Sequence, residues 1–346
     1  MTSMPVEWLD RLASVVVVNW NGIEYLIGCL AGLGAQTYRP LEVILVDNGS
    51  TDGSVELVQE EFPWVKLVQS PNNVGFAGGC NLGLKAAQGA YVAVLNNDAI
   101  AYPTWLEEMV AAMASAPDVG MCASKVLAWD DTVVESAGVT VNWLGIAGER
   151  LARQPDKVDE AEYQEVFGPS ASAALYRRAM LDEVGFFDEG FFCYLEDVDL
   201  AWRARNAGWR CLYVPAARVR HRGSATAGEG SPFKRYQLAR NKPRMIAKNY
   251  PYPYWPLLAP AVVAADLLAA LYALAFCAPS WEAKKAVLRG RWDGWRSIEA
   301  TRRQRSESRR APGLSARQRL SLLEPFASWG KPREGFAVRG GRASSL

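Results

Sequence analysis

Histidine occurs once in 346 residues, and the chain lacks a CxxC pair, a Walker loop and a GxGxxG fingerprint. The six cysteines (Cys29, Cys80, Cys122, Cys193, Cys211, Cys277) have no metal-ligand spacing and read as reduced, mostly buried thiols of a reducing compartment. Without the two phosphate-binding fingerprints, ATPase and dehydrogenase readings lose ground. No apolar core precedes the first strand: residues 1–11 carry Glu7 and Asp10, which argues against a cleavable signal and for a cytoplasmic catalytic region. Net charge is nearly absent too, at +1, but unevenly so. Residues 281–346 hold 16 Lys+Arg against 6 Asp+Glu, a balance of +10 that leaves −9 for residues 1–280. Such a tail suits an anionic membrane surface better than nucleic acid, and a solvated, disordered tail is an equal alternative.

What is present is the composition of a globular protein, 50% apolar and 22% charged, long enough for one large domain or two smaller ones. The β-branched run Ala13–Asn19 leads into Trp20, Asn21, Gly22 and a helical pattern over 23–35. A second run, Leu41–Asp47, ends in the turn Asn48-Gly49-Ser50-Thr51-Asp52-Gly53, rich in helix-capping residues. A helix to about residue 62 and a strand over 65–69 follow. Strand and helix alternating at short intervals predict parallel βαβ units with right-handed crossovers.

The glycine-rich stretch over 72–83, with Asn73 and Gly75, opens a helix reaching residue 88. Its glycines either let backbone amides approach an anionic ligand or allow tight helix–sheet packing. The apolar run from Tyr91 to Asn96 then stops at Asn97 and Asp98. It reads as a strand buried on both faces, whose carboxyl end is where open α/β sheets bind ligands. Asp98 either caps the next helix or holds a divalent metal on the diphosphate of a nucleotide-sugar.

Farther on, the pattern predicts a strand over 119–127, a hairpin over 132–141, a polar loop over 148–165 and a short helix over 178–184. Glu196, Asp197 and Asp199 fall in the first turn of a helix ending at Gly208, where the helix dipole favours their ionised forms. Strand-like segments over 210–214 and 218–221 end at His221, whose polar setting beside Arg220 and Arg222 suits a metal ligand better than a core residue.

Together the segments VVVVNWNG (15–22), VDNGSTDGS (46–54), NNVGFAGGCNLG (72–83), LNNDA (95–99), FFCYLEDVDLAWRARNAGW (191–209) and RVRHRGSA (218–225) resemble the family 2 glycosyltransferases of the GT-A fold. The resemblance is to bacterial rhamnosyltransferase-like and galactofuranosyltransferase-like members and covers about residues 13–250. It implies an α/β fold, a Rossmann-like, mostly parallel mixed sheet flanked by helices with a C-terminal helical, apolar extension. It also implies that Asp47 lies near the nucleotide base with Asn19 and Asn21 nearby, and that Asn73, Gly75, Asn96 and Asn97 face the nucleotide-sugar. Asp98 is similar to the last acid of the family's DxD motif, His221 to the histidine completing the Mg²⁺ or Mn²⁺ site, and Asp197 to the general base. Glu196 is the alternative base. The first acid of the motif is here Asn96, which shifts that side chain toward ribose or phosphate.

In the C-terminal third, residues 231–249 are basic and partly helical, residues 250–256 form an aromatic and proline cluster, and residues 257–278 are apolar except for Asp266. A bilayer span needs about 20 such residues. The expected layout is a catalytic domain over 1–230, with a nucleotide-sugar half to about 127, then a membrane-associated helical extension over 231–300 and a basic, flexible tail over 301–346. An interfacial or re-entrant helix leads, with a full span and a buried domain helix as alternatives. The leading expectation is therefore an inverting, metal-dependent transferase at the cytoplasmic face of the inner membrane. It would move a sugar, rhamnose first, from a dTDP- or UDP-linked donor to a glycan or lipid-linked acceptor in cell-envelope polysaccharide synthesis. A galactofuranosyl or other hexosyl transferase is the near alternative. A sugar nucleotidyltransferase and a non-catalytic sugar-nucleotide binding module are the competing classes. The first would need a basic phosphate-activating signature that the Asn19–Gly22 region lacks.

Overall fold

The computed structural model describes residues 11–156, 162–223, 230–250, 252–277, 280–301 and 323. In chain order the strands and α-helices are β1 (Ala13–Asn19), α1 (Ile23–Gly34), β2 (Leu41–Asp47), α2 (Ser54–Glu61), β3 (Lys66–Gln69), α3 (Gly75–Ala86), β4 (Tyr91–Asn96), β5 (Ala99–Ala101), α4 (Trp105–Ala114) and β6 (Val119–Ala128). They continue with β7 (Val134–Ser136), β8 (Val139–Val141), β9 (Ala147–Glu149), β10 (Gln164–Val166), β11 (Ala173–Arg177), α5 (Arg178–Val184), α6 (Glu196–Ala207) and β12 (Arg210–His221). Three long helices close the described chain: α7 (Pro232–Asn249), α8 (Trp255–Tyr272) and α9 (Trp281–Arg296).

The β-branched runs pair as expected. β1 lies between β2 and β4, parallel to both, with Asn19 opposite Asp47 and Val18 opposite Asn96, so the polar residues that end each run share one edge. Among the described residues ten strands form one mixed sheet, whose path runs β10-β12-β6-β11-β4-β1-β2-β3, with β5 on β12 and β7 on β6. The antiparallel β11 separates the parallel block β3-β2-β1-β4 from the parallel pair β6-β12. Both faces of the sheet are covered. Val15 and Val17 pack with Leu26, Leu30 and Trp105 on one side, and Val16 with Ala77 and Cys80 on the other. Burying each such side chain is worth about 1.5–3 kcal/mol. Gly83 lets α3 lie close on β1, since a Cβ there would come 2.3 Å from Val16 Cγ1.

Several local expectations are corrected. Residues 132–141 do not form a hairpin: β7 pairs with β6, and β8 pairs with β9. The polar loop over 148–165 is flanked at both ends by short strands, β9 and β10. The two segments over 210–221 are one strand whose register slips between Val214 and Arg218, where Pro215 has no N–H for the ladder. The cysteines described as free thiols are Cys29, Cys80, Cys122, Cys193 and Cys211. Residues 224–225 of the RVRHRGSA segment and the basic tail, apart from Thr301 and Leu323, lie outside the described residues.

The stretch Pro256–Phe276 is long and apolar enough by length and composition to cross a membrane, and only 17% of it is buried. Leu257, Leu267, Leu268, Leu271, Tyr272 and Phe276 are exposed along it. Asp266 points the other way. It is buried against α7 and α9, pairing with Lys242 Nζ at 3.1 Å and Arg291 Nε at 3.3 Å.

Candidate active site

The loops after β1 and β2 and before α3 are tied to one another by short polar side chains. Asn19 is fully buried, donating from Nδ2 to Ser50 Oγ at 3.2 Å and accepting from Asn97 Nδ2 at 2.8 Å. Asn21 accepts from the Thr51 amide, and Asp52 accepts from the Ile23 amide at the start of α1. Asn48 bridges to Asn73 Oδ1 and the Gly75 carbonyl, while Asn73 Oδ1 accepts from the Gly75 amide at 2.8 Å. Asp47 accepts from the Ser50 amide through Oδ2, and its buried Oδ1 has no partner among the described residues. Gly75 takes φ +79°, and a Cβ there would lie 2.5 Å from the Phe192 carbonyl oxygen. Packing against the 192 turn therefore requires glycine at this position.

At the carboxyl end of β4, on the same edge, the register does the assembling. β12 pairs antiparallel with β5, setting His221 opposite Ala99 and so beside Asp98. His221 Nε2 lies 3.1 Å from Asp98 Oδ1 and 3.1 Å from Asn96 Nδ2, and Nδ1 lies 2.8 Å from Glu135 Oε1. Burial opposes charge on this ring, but hydrogen bonds to Asp98 and Glu135 outweigh it and push the pKa up to about 10. Glu135, on β7, had no signal in the sequence, because that strand is three residues long and Glu135 meets His221, 86 residues away, only in the fold.

Facing them is the turn before α6. Phe192, Tyr194 and Leu195 all have positive φ, 64°, 70° and 68°. For residues with a side chain this costs about 1–3 kcal/mol each and persists only when neighbours enforce it. Asp197 Oδ1 accepts from the Val198 amide at 2.8 Å, and Oδ2 from the Ala171 amide at 3.1 Å. Glu196 is buried, with Oε2 unpartnered among the described residues. The dipole argument fails for these two: burial raises the pKa of both, and the Asp197 charge raises Glu196 further. Asp199 goes the other way. Burial works against its charge, but Lys248 and Arg203, with an Asn249 hydrogen bond, hold it down to about 2.

A cavity of about 1020 Å³ spans these elements. Asn73, Gly75, Asn96, Asn97 and Asp98 line one wall, and Glu196, Asp197 and His221 line the rest together with Glu135. Asn19, Asn21 and Asp47 are not among its lining residues: Asn19 and Asp47 are buried beneath the loops they tie together, and Asn21 is exposed. Glu149 and Ser170 also line the cavity and escaped the sequence reading. Glu149 opens onto the cavity and takes a hydrogen bond from Ser136 Oγ at 2.5 Å. The surrounding protein desolvates it, and with the Asp197 and Glu135 charges nearby its pKa is pushed up to about 8.

Among the described residues no group of three or more His, Cys, Asp or Glu forms a metal cage. Two donors, Asp98 and His221, with Glu135 on the far ring nitrogen to fix the imidazole, fit an ion that displaces the Nε2 proton now shared with Asp98 and completes its shell with substrate oxygens and water.

A family model described as glycosyl transferase family 2 matches residues 14–185. N-acetylglucosaminyl-diphospho-decaprenol L-rhamnosyltransferase of Mycobacterium tuberculosis is 31% identical over 237 residues, covering 62% of this chain and 77% of that protein. The O-antigen biosynthesis protein RfbC of Myxococcus xanthus is 30% identical over 252 residues, covering 69% of this chain and 20% of that protein. Among solved structures, GalNAc-T7 with UDP, GalNAc and Mn²⁺ superposes with a TM-score of 0.58 at 16% identity, over 88% of this chain and 58% of that one. The mannosyltransferase PcManGT from Pyrobaculum calidifontis, in complex with GDP-Man and Mn²⁺, gives 0.51 at 22% identity, over 86% of this chain and 84% of that one. At these identities the two structures speak for the GT-A fold alone.

Proposed function

The chain belongs to glycosyl transferase family 2, and on that premise we propose that it transfers a sugar, rhamnose first, from a dTDP- or UDP-linked donor to a lipid-linked glycan at a membrane surface. The single observation that carries this reading is the convergence of Asp98, His221 and Asp197 on one cavity from β4, β12 and α6. The rhamnosyltransferase relative, whose name specifies a diphospho-decaprenol substrate, supports both the sugar and the lipid.

Displacement at an anomeric carbon needs a base opposite the leaving group and positive charge beside it. Asp197 takes the base role: two backbone amides fix its carboxylate, and burial makes it a stronger base than an ordinary aspartate. It receives the acceptor hydroxyl proton as that oxygen bonds to the anomeric carbon and the diphosphate leaves. A single such base favours single displacement with inversion. Glu196, whose pKa burial and the neighbouring Asp197 charge push well up and whose Oε2 has no partner among the described residues, is the weaker candidate. Asp98 and His221 would hold Mg²⁺ or Mn²⁺, which when bound neutralises the departing diphosphate. Asp47, buried behind the cavity wall, holds the Ser50 amide and so sets the loop against which the nucleotide base would lie, and Asn96, whose amide lies 3.1 Å from His221 Nε2, would face ribose or phosphate in place of the acid that begins the family's metal motif.

The layout that goes with this reading is a catalytic domain over 1–230, an extension over 231–300 and a basic tail. The extension would rest α8 in the cytoplasmic leaflet through Leu267, Leu268, Leu271 and Phe276, while Asp266 stays paired inside.

Transfer from dTDP-L-rhamnose and UDP-galactofuranose to an N-acetylglucosaminyl-diphospho-prenol, with and without Mn²⁺, tests the proposal. Metal-dependent transfer of one sugar with inverted anomeric configuration is expected. Donor hydrolysis or transfer with retained configuration would refute it.

A further inference from the structure

The strained turn over 191–195 is held from outside its own domain half. Asn241, on α7, is fully buried. Its Nδ2 lies 2.9 Å from the Phe191 carbonyl, 2.9 Å from that of Cys193 and 2.8 Å from that of Tyr194. One amide nitrogen, with two hydrogens, thus reaches three carbonyls of the turn, of which that of Phe191 also accepts from the Cys193 amide at 2.7 Å. Its own Oδ1 accepts from Arg240 Nη1 at 3.2 Å.

No other common side chain of this size supplies that donor. Serine would bring one hydrogen, aspartate none. The same helix grips the segment on both flanks. Lys248 pairs with Asp188 before the turn and with Asp199 after it, both within 2.9 Å, and Asn249 donates to Asp199 at 2.7 Å. On the opposite side the Ala77 amide donates to the Phe192 carbonyl at 3.1 Å. Three left-handed residues with side chains immediately precede Glu196 and Asp197, and the groups that enforce this conformation come chiefly from α7.

We propose that Asn241 is a positioning residue for sugar transfer, clasping the 191–195 turn so that Asp197 faces the cavity. This rests on the reading of Asp197 as base. Asn241 touches neither substrate nor reacting atoms. It acts through backbone geometry one residue ahead of α6. Its loss therefore lowers turnover while leaving the nucleotide side, built by β1, β2 and α3, as it was.

The test uses the full chain with Asn241→Ala, and Asn241→Ser should the alanine variant fail to fold. Amide hydrogen exchange needs no substrate: exchange over 191–199 should speed at least tenfold while β1, β2 and β4 keep wild-type protection. Uniform acceleration across the sheet would reduce Asn241 to general packing and overturn the inference. In the transfer assay with dTDP-L-rhamnose, kcat should fall at least tenfold with the donor Kd changed less than twofold. A folded variant with wild-type kcat would also overturn it. Asp197→Asn is run in parallel: full turnover in that variant removes the base reading itself and the inference with it, whereas an inactive Asp197→Asn beside an active Asn241→Ala removes the clasp alone.

Discussion

His221 Nε2 stands 3.1 Å from Asp98 Oδ1 because β12 and β5 run antiparallel with His221 opposite Ala99. The pairing is set by backbone register rather than by side-chain attraction. Its far nitrogen is held by Glu135 at 2.8 Å. Outer partners of this kind usually contribute about 10- to 100-fold in metal affinity. Glu135→Gln should therefore weaken Mn²⁺ activation by roughly that factor with donor binding retained, read from Mn²⁺ titrations of transfer. Asp98→Asn should be more damaging than a change at Asn96 or Asn97 in the same titration.

Asp197→Asn should cut kcat by about 10²–10⁴-fold, the usual worth of a general base, with nucleotide affinity nearly unchanged by calorimetry. In the unmodified protein burial raises the Asp197 pKa. The base is lost on protonation, so kcat should fall with decreasing pH through a pKa above the ordinary 3.8 of aspartate, seen in the acid limb of the kcat profile.

Asp199 carries the opposite shift, from 3.8 to about 2, in a fully buried site. Because the folded value is depressed, its stabilisation is complete above pH 4 and is lost as pH falls from about 4 to 2. The amount is about 2 kcal/mol. Urea unfolding at stepped pH should show that loss, and Asp199→Asn should abolish this segment of the pH dependence while lowering stability near neutrality, since Arg203 would lose its counter-ion and Lys248 would keep only Asp188.

Asp266→Leu separates a flat α8 from a spanning one. Lying flat, the helix keeps Lys242 and Arg291 buried around Asp266, and removing that partner should destabilise the fold by about 3 kcal/mol without improving vesicle binding. A spanning helix would insert better without the acid. Replacing Leu267, Leu268 and Leu271 with serine should instead abolish flotation with anionic vesicles at unchanged Tm.

Gly75→Ala would place a methyl 2.5 Å from the Phe192 carbonyl at φ +79°. The 192 turn must move, so both Tm and kcat should drop, measured by calorimetry and the transfer assay.

The parallel half of the sheet was legible because β1, β2 and β4 are short apolar runs ending abruptly at polar residues, a pattern that gives both the strand and its ligand edge. Helix α6 was equally plain from its acidic start and Gly208 stop. The region over 130–166 was not. Its strands are three residues long, and β7 and β8 pair with their outer sequence neighbours β6 and β9 rather than with one another, while Glu135 meets His221 only in the fold. The direction of the Asp197 pKa was not legible for a related reason: sequence shows the helix terminus, which favours the carboxylate, but not the burial that pushes its pKa up. Asn241 carries no motif of its own, since its role exists only where α7 meets the 191–195 turn.

Because α7 supplies both the clasp on that turn and the counter-ion of Asp199, a version of the enzyme cut after residue 230 should lose its catalytic geometry together with its lipid contact. A soluble form for crystallisation or assay is better sought by repainting the outer face of α8 than by trimming the chain.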